Sequence, residues 1–273
     1  MTLIAILMGT LAAGIGSVWL AAVLSFGLLA RYTQHMLSLA AGALLATAFM
    51  NLLPEAFESH AGPQALFATL LAGLVFFFLL DKAELWHHGH EHHDGGELSA
   101  SHPGRQGHEG HNHADGHVHG HDVKSGGWAV LAGDSVHAFG DGILIASAFI
   151  ADLRLGVVAS LAVLVHEVPH HMGDLVVMRQ NSGNRRGALV KVSLAGAVTA
   201  LGGGVGYALV GQLFDYLPYF LIMASSSFIY VALADLIPQL QKRVSARETA
   251  AQIAWLLIGI GLVTLVSRIA HPH

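Results

Sequence analysis

The chain contains no cysteine, which excludes disulfide bonds and thiolate metal ligands. Charged residues are also scarce, because Asp, Glu, Lys and Arg together make up 11% of the sequence, against about 25% in a typical soluble domain. Apolar residues make up 53%, and the mean hydropathy is +0.57. This composition excludes an ordinary soluble domain and indicates a chain that lies in a lipid bilayer.

Long apolar runs account for most of the sequence. A helix needs about 20 mostly apolar residues to cross the hydrocarbon core, and only helices or closed barrels satisfy their backbone groups in lipid. We therefore predict an all-α integral membrane protein with one transmembrane domain (1–273) and eight transmembrane helices. The predicted spans are 3–29, 36–57, 65–86, 128–150, 153–178, 188–214, 217–240 and 250–270.

The basic residues predict the orientation of these spans. Of the 13 Lys and Arg residues, all except Arg154 and Arg268 fall in loops on one side, which the positive-inside rule makes the cytoplasm. Both termini are then outside, in the cell (inner or plasma) membrane. The net charge of −5 comes from residues near span ends, and we expect no nucleic-acid partner.

A weak internal repeat suggests how the spans are grouped. The second predicted span ends NLLPEA (51–56) and the seventh ends DLIPQL (235–240). Each is the middle helix of a three-helix group, and the two groups are separated by two helices, so their orientations are opposite. We predict a 3+2+3 arrangement with an inverted repeat, a plan common in transporters.

The segment between the third and fourth spans is rich in histidine and poor in apolar residues. It contains more than half of the 20 histidines and cannot build a core, so we predict a disordered cytoplasmic loop at 87–125. Tracts of this kind bind metal weakly and at many sites. The candidate residues for metal handling are His87, His88, His90, His92, His93, His111, His113, His117, His119 and His121.

Ionisable side chains inside a bilayer are costly and are candidates for function. Here they concentrate in GDSVHAFGDG of the fourth span and HEVPHHMGD of the fifth. The i, i+4 pairs His137 with Asp141 and His166 with His170 would offer one ion three imidazoles and one carboxylate. This set suits tetrahedral Zn²⁺, although Fe²⁺, Mn²⁺ or Cd²⁺ can use it too. Candidates for a second site, or for orienting the histidines, are Glu167, His171, Asp174 and Asp134.

Three polar residues lie near the ends of other spans. Glu55 and Asp235 are candidates for lining the ion pathway, and a solvated position at the membrane surface is an equally good interpretation. Asn51 is a further pathway candidate, with a plain interhelical hydrogen bond as its alternative.

The two motifs together resemble the paired HNFxDG and HExPHExGD motifs of the histidine-rich branch of the ZIP (Zrt-, Irt-like) metal transporters. The resemblance extends over essentially the whole chain, including FIYVALADLIP and the histidine-rich loop. It implies eight helices, import of a divalent metal, usually zinc, into the cytoplasm, and commonly a homodimer. By motif position it implies that His137, Asp141, His166 and His170 form the transport site, with Glu167 in a neighbouring second site.

The sequence departs from the family pattern at two positions next to these residues. Ala138 stands where the family has Asn, and His171 stands where it has Glu. Ala138 removes a possible ligand of the second site, and His171 replaces a negative charge with a group that titrates near neutrality. The sixth span, SLAGAVTALGGG, also has no acidic residue where some family members supply one. We therefore expect one strong site, with the second weak or absent.

Two other functions share some of these features. HEVPH satisfies the H-E-x-x-H pattern of zinc proteases, so an intramembrane metalloprotease is one alternative. However, His137 and Asp141 can close the metal site, and Pro169 falls between the two histidines. The other alternative is a cation-diffusion-type metal exporter, which typically has six spans and a folded C-terminal domain. The eight spans and the short ending RIAHPH favour the importer, and we expect no enzymatic activity.

Overall fold

The computed structural model describes residues 1–25, 33–89, 123–182, 184–240 and 245–269. Within these ranges the chain is helical and contains no strand. Eight helices are long and apolar enough to cross a membrane, which confirms the predicted fold class and the number of spans. Their bounds are α1 (2–25), α2 (33–57), α3 (Pro63–Gly89), α4 (Val123–Ala151), α5 (Leu153–Ser182), α6 (Arg185–Gln212), α7 (217–240) and α8 (Ala246–Ile269).

The helices next to the histidine-rich segment are longer than the apolar runs that predicted them. α3 continues to Gly89 and α4 begins at Val123, so both overlap the ends of the predicted loop at 87–125. Hydropathy marks only the part of a helix that lies in lipid, whereas the backbone hydrogen bonds of a helix can continue beyond it. The rest of the predicted loop lies outside the described residues.

Three of the eight helices contain a π-helical segment, a wider turn with i→i+5 hydrogen bonds that often occurs at functional sites. In α2 and α7 the wide turn ends directly before the dipeptides Leu53-Pro54 and Ile237-Pro238. Proline lacks an amide hydrogen, and its ring collides with the carbonyl one regular turn earlier. A widened turn at this position relieves that collision. The three segments are Ala12–Gly16 in α1, Ala48–Leu52 in α2 and Val231–Leu236 in α7.

The antiparallel helices α4 and α5 lie at the centre of the packing. α4 packs against α6 and α7, and α5 packs against α1 and α2. The window of α2 that would lie in lipid is 67% buried, whereas those of α3 and α8 are 11% and 17% buried. α3 and α8 are therefore the outer helices, and the polar segments of α4 and α5 are enclosed by the others.

Glycines bring the helix backbones together around this centre. A Cβ at Gly142 of α4 would overlap the backbone of Thr199 in α6, and one at Gly202 of α6 would overlap the backbone of Phe139. Gly14 of α1 and Gly196 of α6 approach each other in the same way. Small residues at such crossings let transmembrane helices pack by direct van der Waals contact.

The outer helices make matching contacts at two places in the fold. Gly42 of α2 lies against the carbonyl of Leu256 in α8. At the other place the Oγ of Ser226 in α7 donates a hydrogen bond of 3.1 Å to the carbonyl of Leu70 in α3. Counted from the NLLPEA and DLIPQL segments, Gly42 and Ser226 are nine residues before the first letter of each, so the α2–α8 contact corresponds in sequence to the α7–α3 contact.

Candidate metal site

Two candidate ligands lie one turn apart on α4. His137 Nε2 is 3.7 Å from Asp141 Oδ2. The next residue, Gly142, is pressed against α6, so this part of α4 has rigid support. The backbone contact with α6 therefore positions the imidazole and the carboxylate with respect to α5.

α5 brings His166 and Glu167 to the same point. His166 Nε2 lies 3.6 Å from Asp141 Oδ2 and 3.0 Å from Glu167 Oε1. The same Glu167 oxygen is 3.6 Å from His137 Nε2. One ligand atom from each of the four residues lies within 4.8 Å of all the others, so the two helices together form a cluster of two imidazoles and two carboxylates.

The cluster is buried, and its polar atoms lack hydrogen bonds. The side chains of Asp141, His166 and Glu167 are at most 4% exposed, and that of His137 is 33% exposed. Within the described part of the chain, none of the four ligand atoms has a hydrogen-bond partner. An unsatisfied buried polar group costs about 1–3 kcal/mol, and a charged one costs more. A divalent cation balances both carboxylates and accepts a lone pair from each imidazole, so the cluster is better suited to a cation than to joining helices.

His170 lies beside this cluster without being one of its four members. Its ring centroid is 6.3 Å from that of His137 and 6.0 Å from that of His166. Glu167, and not His170, supplies the fourth atom that lies within 4.8 Å of the ligand atoms of the other three residues, so the i, i+4 assignment of His170 as a ligand stays a prediction. The helix continues without a break through Pro169. Glu167 and His170 both face the same region of α4, around His137.

A second group lies one turn further along α5. His171 Nε2 is 3.4 Å from Glu167 Oε2 and 3.9 Å from Asp134 Oδ2. These three residues also place one ligand atom each within 4.8 Å of the others. Glu167 belongs to both groups, through Oε1 in the first and Oε2 in the second. The carboxylate of Glu167 thus connects the two groups.

The other candidate residues are not members of these groups, or they lie outside the described part of the structure. Asn51 accepts a hydrogen bond of 2.7 Å from Ser267 of α8. This is the interhelical hydrogen bond that we gave as the alternative to a pathway role. Glu55 is exposed and Asp174 is half-buried. Asp235 lies in the π-helical segment of α7, and its side chain is outside the described part of the structure. His87 and His88 lie in the last turn of α3, and the other loop histidines are outside the described residues.

The two ends of the α4–α5 pair differ in exposure. On the side of Asp141 that leads away from the histidine-rich segment, both helices present buried apolar residues. On the other side, Gly173 is exposed, His170 is half-buried and the side chain of Asp134 is 11% exposed. The exposed surface next to the ligands therefore lies towards the loop end. The buried apolar residues are Leu144, Ile145, Ala148 and Phe149 of α4 and Ala159, Ala162 and Val163 of α5.

The sequence matches that of a known protein family. The model of the ZIP Zinc transporter family matches residues 1–267. The chain belongs to the ZIP zinc transporter family. The match confirms the resemblance seen in the two motifs, and with the eight helices it supports a multi-pass membrane protein of a divalent metal transporter family.

Curated ZIP relatives are similar over different shares of their length. Zinc transporter SLC39A7 of Mus musculus is 27% identical, over 86% of this chain and 63% of its own length. Zinc transporter ZIP13 of Pongo abelii is 27% identical, over 97% of this chain and 79% of its own. Zinc transporter foi of Drosophila melanogaster is 32% identical, over 51% of this chain and 20% of its own. The ZIP chain thus spans less than two thirds of SLC39A7 and a fifth of foi.

One residue of this ZIP site was not predicted from the sequence. Ser17 of α1 is fully buried, and its Oγ lies 3.0 Å from His171 Nδ1. It directly follows the π-helical segment of α1, whose wide turn places it against α5. A single serine within an apolar run forms no periodic pattern with other polar residues, so the sequence does not mark it. Its contact with His171 becomes visible only when α1 packs on α5.

Proposed function

We propose that this ZIP chain transports a divalent metal ion across the membrane into the cytoplasm through the cluster of His137, Asp141, His166 and Glu167. The observation that carries the proposal is the convergence of four buried ligand atoms within 4.8 Å of one another. They come from two antiparallel helices enclosed by the others. A buried site between transmembrane helices can bind an ion only if a path leads to it, which is a requirement of transport.

The donor set favours zinc as the substrate. Zn²⁺ accepts imidazole nitrogen and carboxylate oxygen in a tetrahedral arrangement, and the cluster offers two of each. Fe²⁺, Mn²⁺ and Cd²⁺ use the same donors, and their relative affinities follow availability and geometry as well as ligand type. The names of the relatives also refer to zinc. We therefore propose zinc as the main substrate, with the other three as competitors.

Two independent features support the proposed direction of transport. The distribution of Lys and Arg favours a cytoplasmic position for the histidine-rich loop. The exposed residues beside the ligands, such as Gly173, lie towards that same end. In this conformation an ion at the cluster would leave to the cytoplasm, while the packed apolar residues beyond Asp141 separate it from the outside. Import requires that this packing opens in a second conformation.

A mechanism can be stated in terms of the residues of the chain. The ion exchanges its water for the imidazoles and carboxylates of the cluster, and the change in packing of α4 and α5 against their neighbours moves the open side from outside to inside. Histidine binds metal in its neutral form, so acid should weaken binding. The histidine-rich loop would receive the released ion or sense its concentration.

We also propose the 3+2+3 arrangement with an inverted repeat. It is supported by the wide turns that precede Pro54 and Pro238 at equivalent positions in α2 and α7. The contact of α2 with α8 and that of α7 with α3 are related in the same way. The homodimer, the cell-membrane location and the outside position of both termini stay predictions from the sequence and the family.

The geometry does not favour the two alternative functions. In a zinc protease the glutamate of H-E-x-x-H acts as a base beside the metal, whereas here Glu167 Oε1 is itself in the ligand cluster. The described residues contain eight membrane-length helices, whereas a cation-diffusion-type exporter typically has six. A casein cleavage assay on the purified protein, with no cleavage expected, tests the protease directly.

The decisive experiment is metal uptake into proteoliposomes that contain the full chain. We expect uptake of zinc above that of empty liposomes, with Fe²⁺, Mn²⁺ and Cd²⁺ tested in parallel and as competitors. His60 is an exposed histidine in the turn that follows α2, so His60→Ala serves as the matched control for variants of the cluster. If the full chain takes up none of the four ions, the proposed function is wrong.

A further inference from the structure

A cavity of about 150 Å³ lies between the end of α5 and the start of α6. None of the residues that line it belongs to the two groups of metal ligands. Its polar wall consists of three exposed arginines, Arg179 of α5 and Arg185 and Arg186 of α6. This basic cavity therefore combines a cluster of positive charge with an apolar wall. The apolar wall is formed by Leu175 and Val176 of α5 and Ala188 and Leu189 of α6.

The chain supplies little negative charge to the basic cavity. From Leu175 to Phe214 the sequence contains no Asp or Glu. Asp174, which directly precedes this stretch, can balance at most one of the three arginines. Arg185 and Arg186 begin α6, where the helix dipole is already positive and where no acidic residue lies in the first turn. The basic cavity therefore favours a negatively charged ligand from outside the chain.

The basic cavity lies at the surface of the membrane. The apolar run of α5 ends LVVM (175–178), and the polar stretch RQNSGNRR (179–186) follows it directly. This connection is on the same side of the membrane as the histidine-rich segment, because α4 and α5 are antiparallel. The hydrocarbon core of a bilayer is flanked by layers of polar headgroups. The three arginines are thus at the level of the phosphates of one leaflet.

A stripe of exposed apolar side chains runs along α6 from these arginines into the membrane. Val190, Leu194, Leu201 and Val205 are all at least 47% exposed. They fall within about 60° of one another around the helix, and Arg186 lies on the same face one turn before Val190. From Val190 to Leu201 the helix rises about 16 Å, about half the thickness of the hydrocarbon core. This α6 stripe therefore has the length of an acyl chain in one leaflet.

The basic cavity has a packed base and room for a phosphate group. Leu175 and Ala188 are buried and belong to an apolar core that joins α5 and α6 to α1. A cavity of about 150 Å³ in another protein holds benzene, and a phosphodiester group has fewer heavy atoms than benzene. Arginine forms two parallel hydrogen bonds to a phosphate, and its planar guanidinium is well suited to this contact. Three such groups around one cavity can surround the phosphate.

We propose that the basic cavity binds the phosphate of an anionic phospholipid through Arg179, Arg185 and Arg186, with its acyl chains on the α6 stripe. Basic pockets between transmembrane helices bind the headgroups of anionic lipids in this way. The site contains no metal ligand, so the inference goes beyond the proposed function and does not depend on it. A bound lipid would connect the end of α5 to the start of α6 and would stabilise the protein in membranes that contain anionic lipid.

Native mass spectrometry of the full chain in detergent measures how much phospholipid each chain retains. The protein is titrated with phosphatidylglycerol and, separately, with phosphatidylcholine that has the same acyl chains. We expect the chain to retain one phosphatidylglycerol and to release phosphatidylcholine at the same concentration. Arg179→Gln, Arg185→Gln and Arg186→Gln should each weaken retention about fivefold, and the triple variant about a hundredfold. The single variants keep the test valid if the triple variant does not fold.

The matched control removes the same charge from three exposed arginines outside the cavity. Arg247 begins α8 much as Arg186 begins α6, but Glu248 follows it in the first turn. The control variant combines Arg154→Gln, Arg247→Gln and Arg268→Gln, and we expect it to retain phosphatidylglycerol normally. If both triple variants lose the lipid equally, the lipid responds to net charge and the cavity is not its site. Normal retention by the cavity variants also refutes the proposal.

Two further measurements test the cavity and the acyl chains separately. Leu189→Trp fills the basic cavity and leaves its arginines in place, so it should lose phosphatidylglycerol, whereas Leu209→Trp at the far end of α6 should retain it. Normal retention by Leu189→Trp would show that the headgroup does not enter the cavity. Glycerol phosphate carries the phosphate without acyl chains and should not displace the lipid at equal concentration. If it does, the site binds a soluble phosphate and the lipid proposal is wrong.

The same spectra give the number of chains in each particle. A second copy of the chain is the alternative occupant of the α6 stripe. If the cavity variants change the number of chains in the particle and leave the number of bound lipids unchanged, this face belongs to a second copy and the lipid proposal is wrong.

Discussion

The outer and inner halves of the α4–α5 pair have the same helical backbone but opposite surroundings. Beyond Asp141, residues such as Ile145 and Val163 are fully buried in apolar packing. On the inner side the same helices carry His137, Glu167 and His171, next to exposed backbone at Gly173. Apolar packing excludes water and ions without any specific bond, whereas the ligands need an ion or water to satisfy them. Under the proposed function, the apolar half is the seal and the half with the ligands is the binding route.

The largest expected effect is loss of the ligand that lies where the two halves meet. His166→Ala removes an imidazole that is 1% exposed and contacts both Asp141 and Glu167. We expect zinc uptake into proteoliposomes to fall to the level of empty liposomes, because only one imidazole, that of His137, would remain beside the two carboxylates. His60→Ala should take up zinc at the normal rate. Uptake by His166→Ala at that same rate would show that the ion does not pass through this cluster.

The contrast in exposure can be measured directly, because the chain has no native cysteine. Ser147 is fully buried in the outer half of α4, and its hydroxyl is bonded to the carbonyl of Ile143. A Cβ at Gly173 in the inner half would meet no described atom within 4 Å. We expect a membrane-impermeant maleimide to label Gly173→Cys strongly from the loop side and Ser147→Cys only at background level.

The unmodified chain gives the background level of labelling, because it has no cysteine that could react with maleimide. Labelling of Ser147→Cys to the same extent as Gly173→Cys would mean that the outer half is not sealed. Labelling of Gly173→Cys from the opposite face would reverse the proposed orientation.

A smaller effect is expected at the residue on which the motif and the geometry differ. The motif assigns His170 to the ligand set, which predicts the same loss as for His166→Ala. Its ring lies 6.0 Å from that of His166, next to a cluster that already has four ligand atoms within 4.8 Å of one another. We therefore expect His170→Ala to slow uptake about tenfold, as for a residue that supports ligands, and to retain zinc in equilibrium dialysis. Complete loss of both uptake and binding would restore His170 to the ligand set.

The smallest expected effect is a change in the thermal unfolding temperature on substitution of Gly142, which lies where the two halves of α4 meet. A Cβ at Gly142 would overlap the backbone of Thr199, whereas one at Gly140 would meet no described atom within 4 Å. Gly142→Ala should lower the thermal unfolding temperature, because overpacking costs about 1–3 kcal/mol. Gly140→Ala is the matched control and should raise it slightly, since Ala is about 1 kcal/mol better than Gly within a helix. Equal unfolding temperatures for the two variants would argue against close contact of α4 with α6.

Much of the fold could be predicted from the sequence, because a bilayer allows few alternatives. Apolar runs predicted all eight spans. The ends of α3 and α4 were predicted several residues too short, since hydropathy ends with the lipid while the helix continues. The wide turns could not be predicted from the proline residues alone, because Pro169 lies in α5 without one.

The sequence indicated which residues belong to the candidate site, but not which of them lie together in one group. His137, Asp141 and His166 lie together as the i, i+4 spacing suggested. Spacing could not decide between Glu167 and His170, because residues three apart lie close on a helix and the tilt of α5 against α4 determines which one faces the cluster. Ser17 could not be predicted, since its role depends on the contact between α1 and α5.

The wide turns of α2 and α7 have a consequence for how the protein can move. α2 packs on α5 and α7 packs on α4, and with the proposed orientation Ala48–Leu52 lies near the outer membrane surface while Val231–Leu236 lies near the inner one. A π-helical turn bends more easily than the regular helix around it. Under the proposed function, each of the two helices that flank the ligand cluster would have a hinge, one per membrane face, so that one compartment can be opened and the other closed without unwinding a helix in lipid.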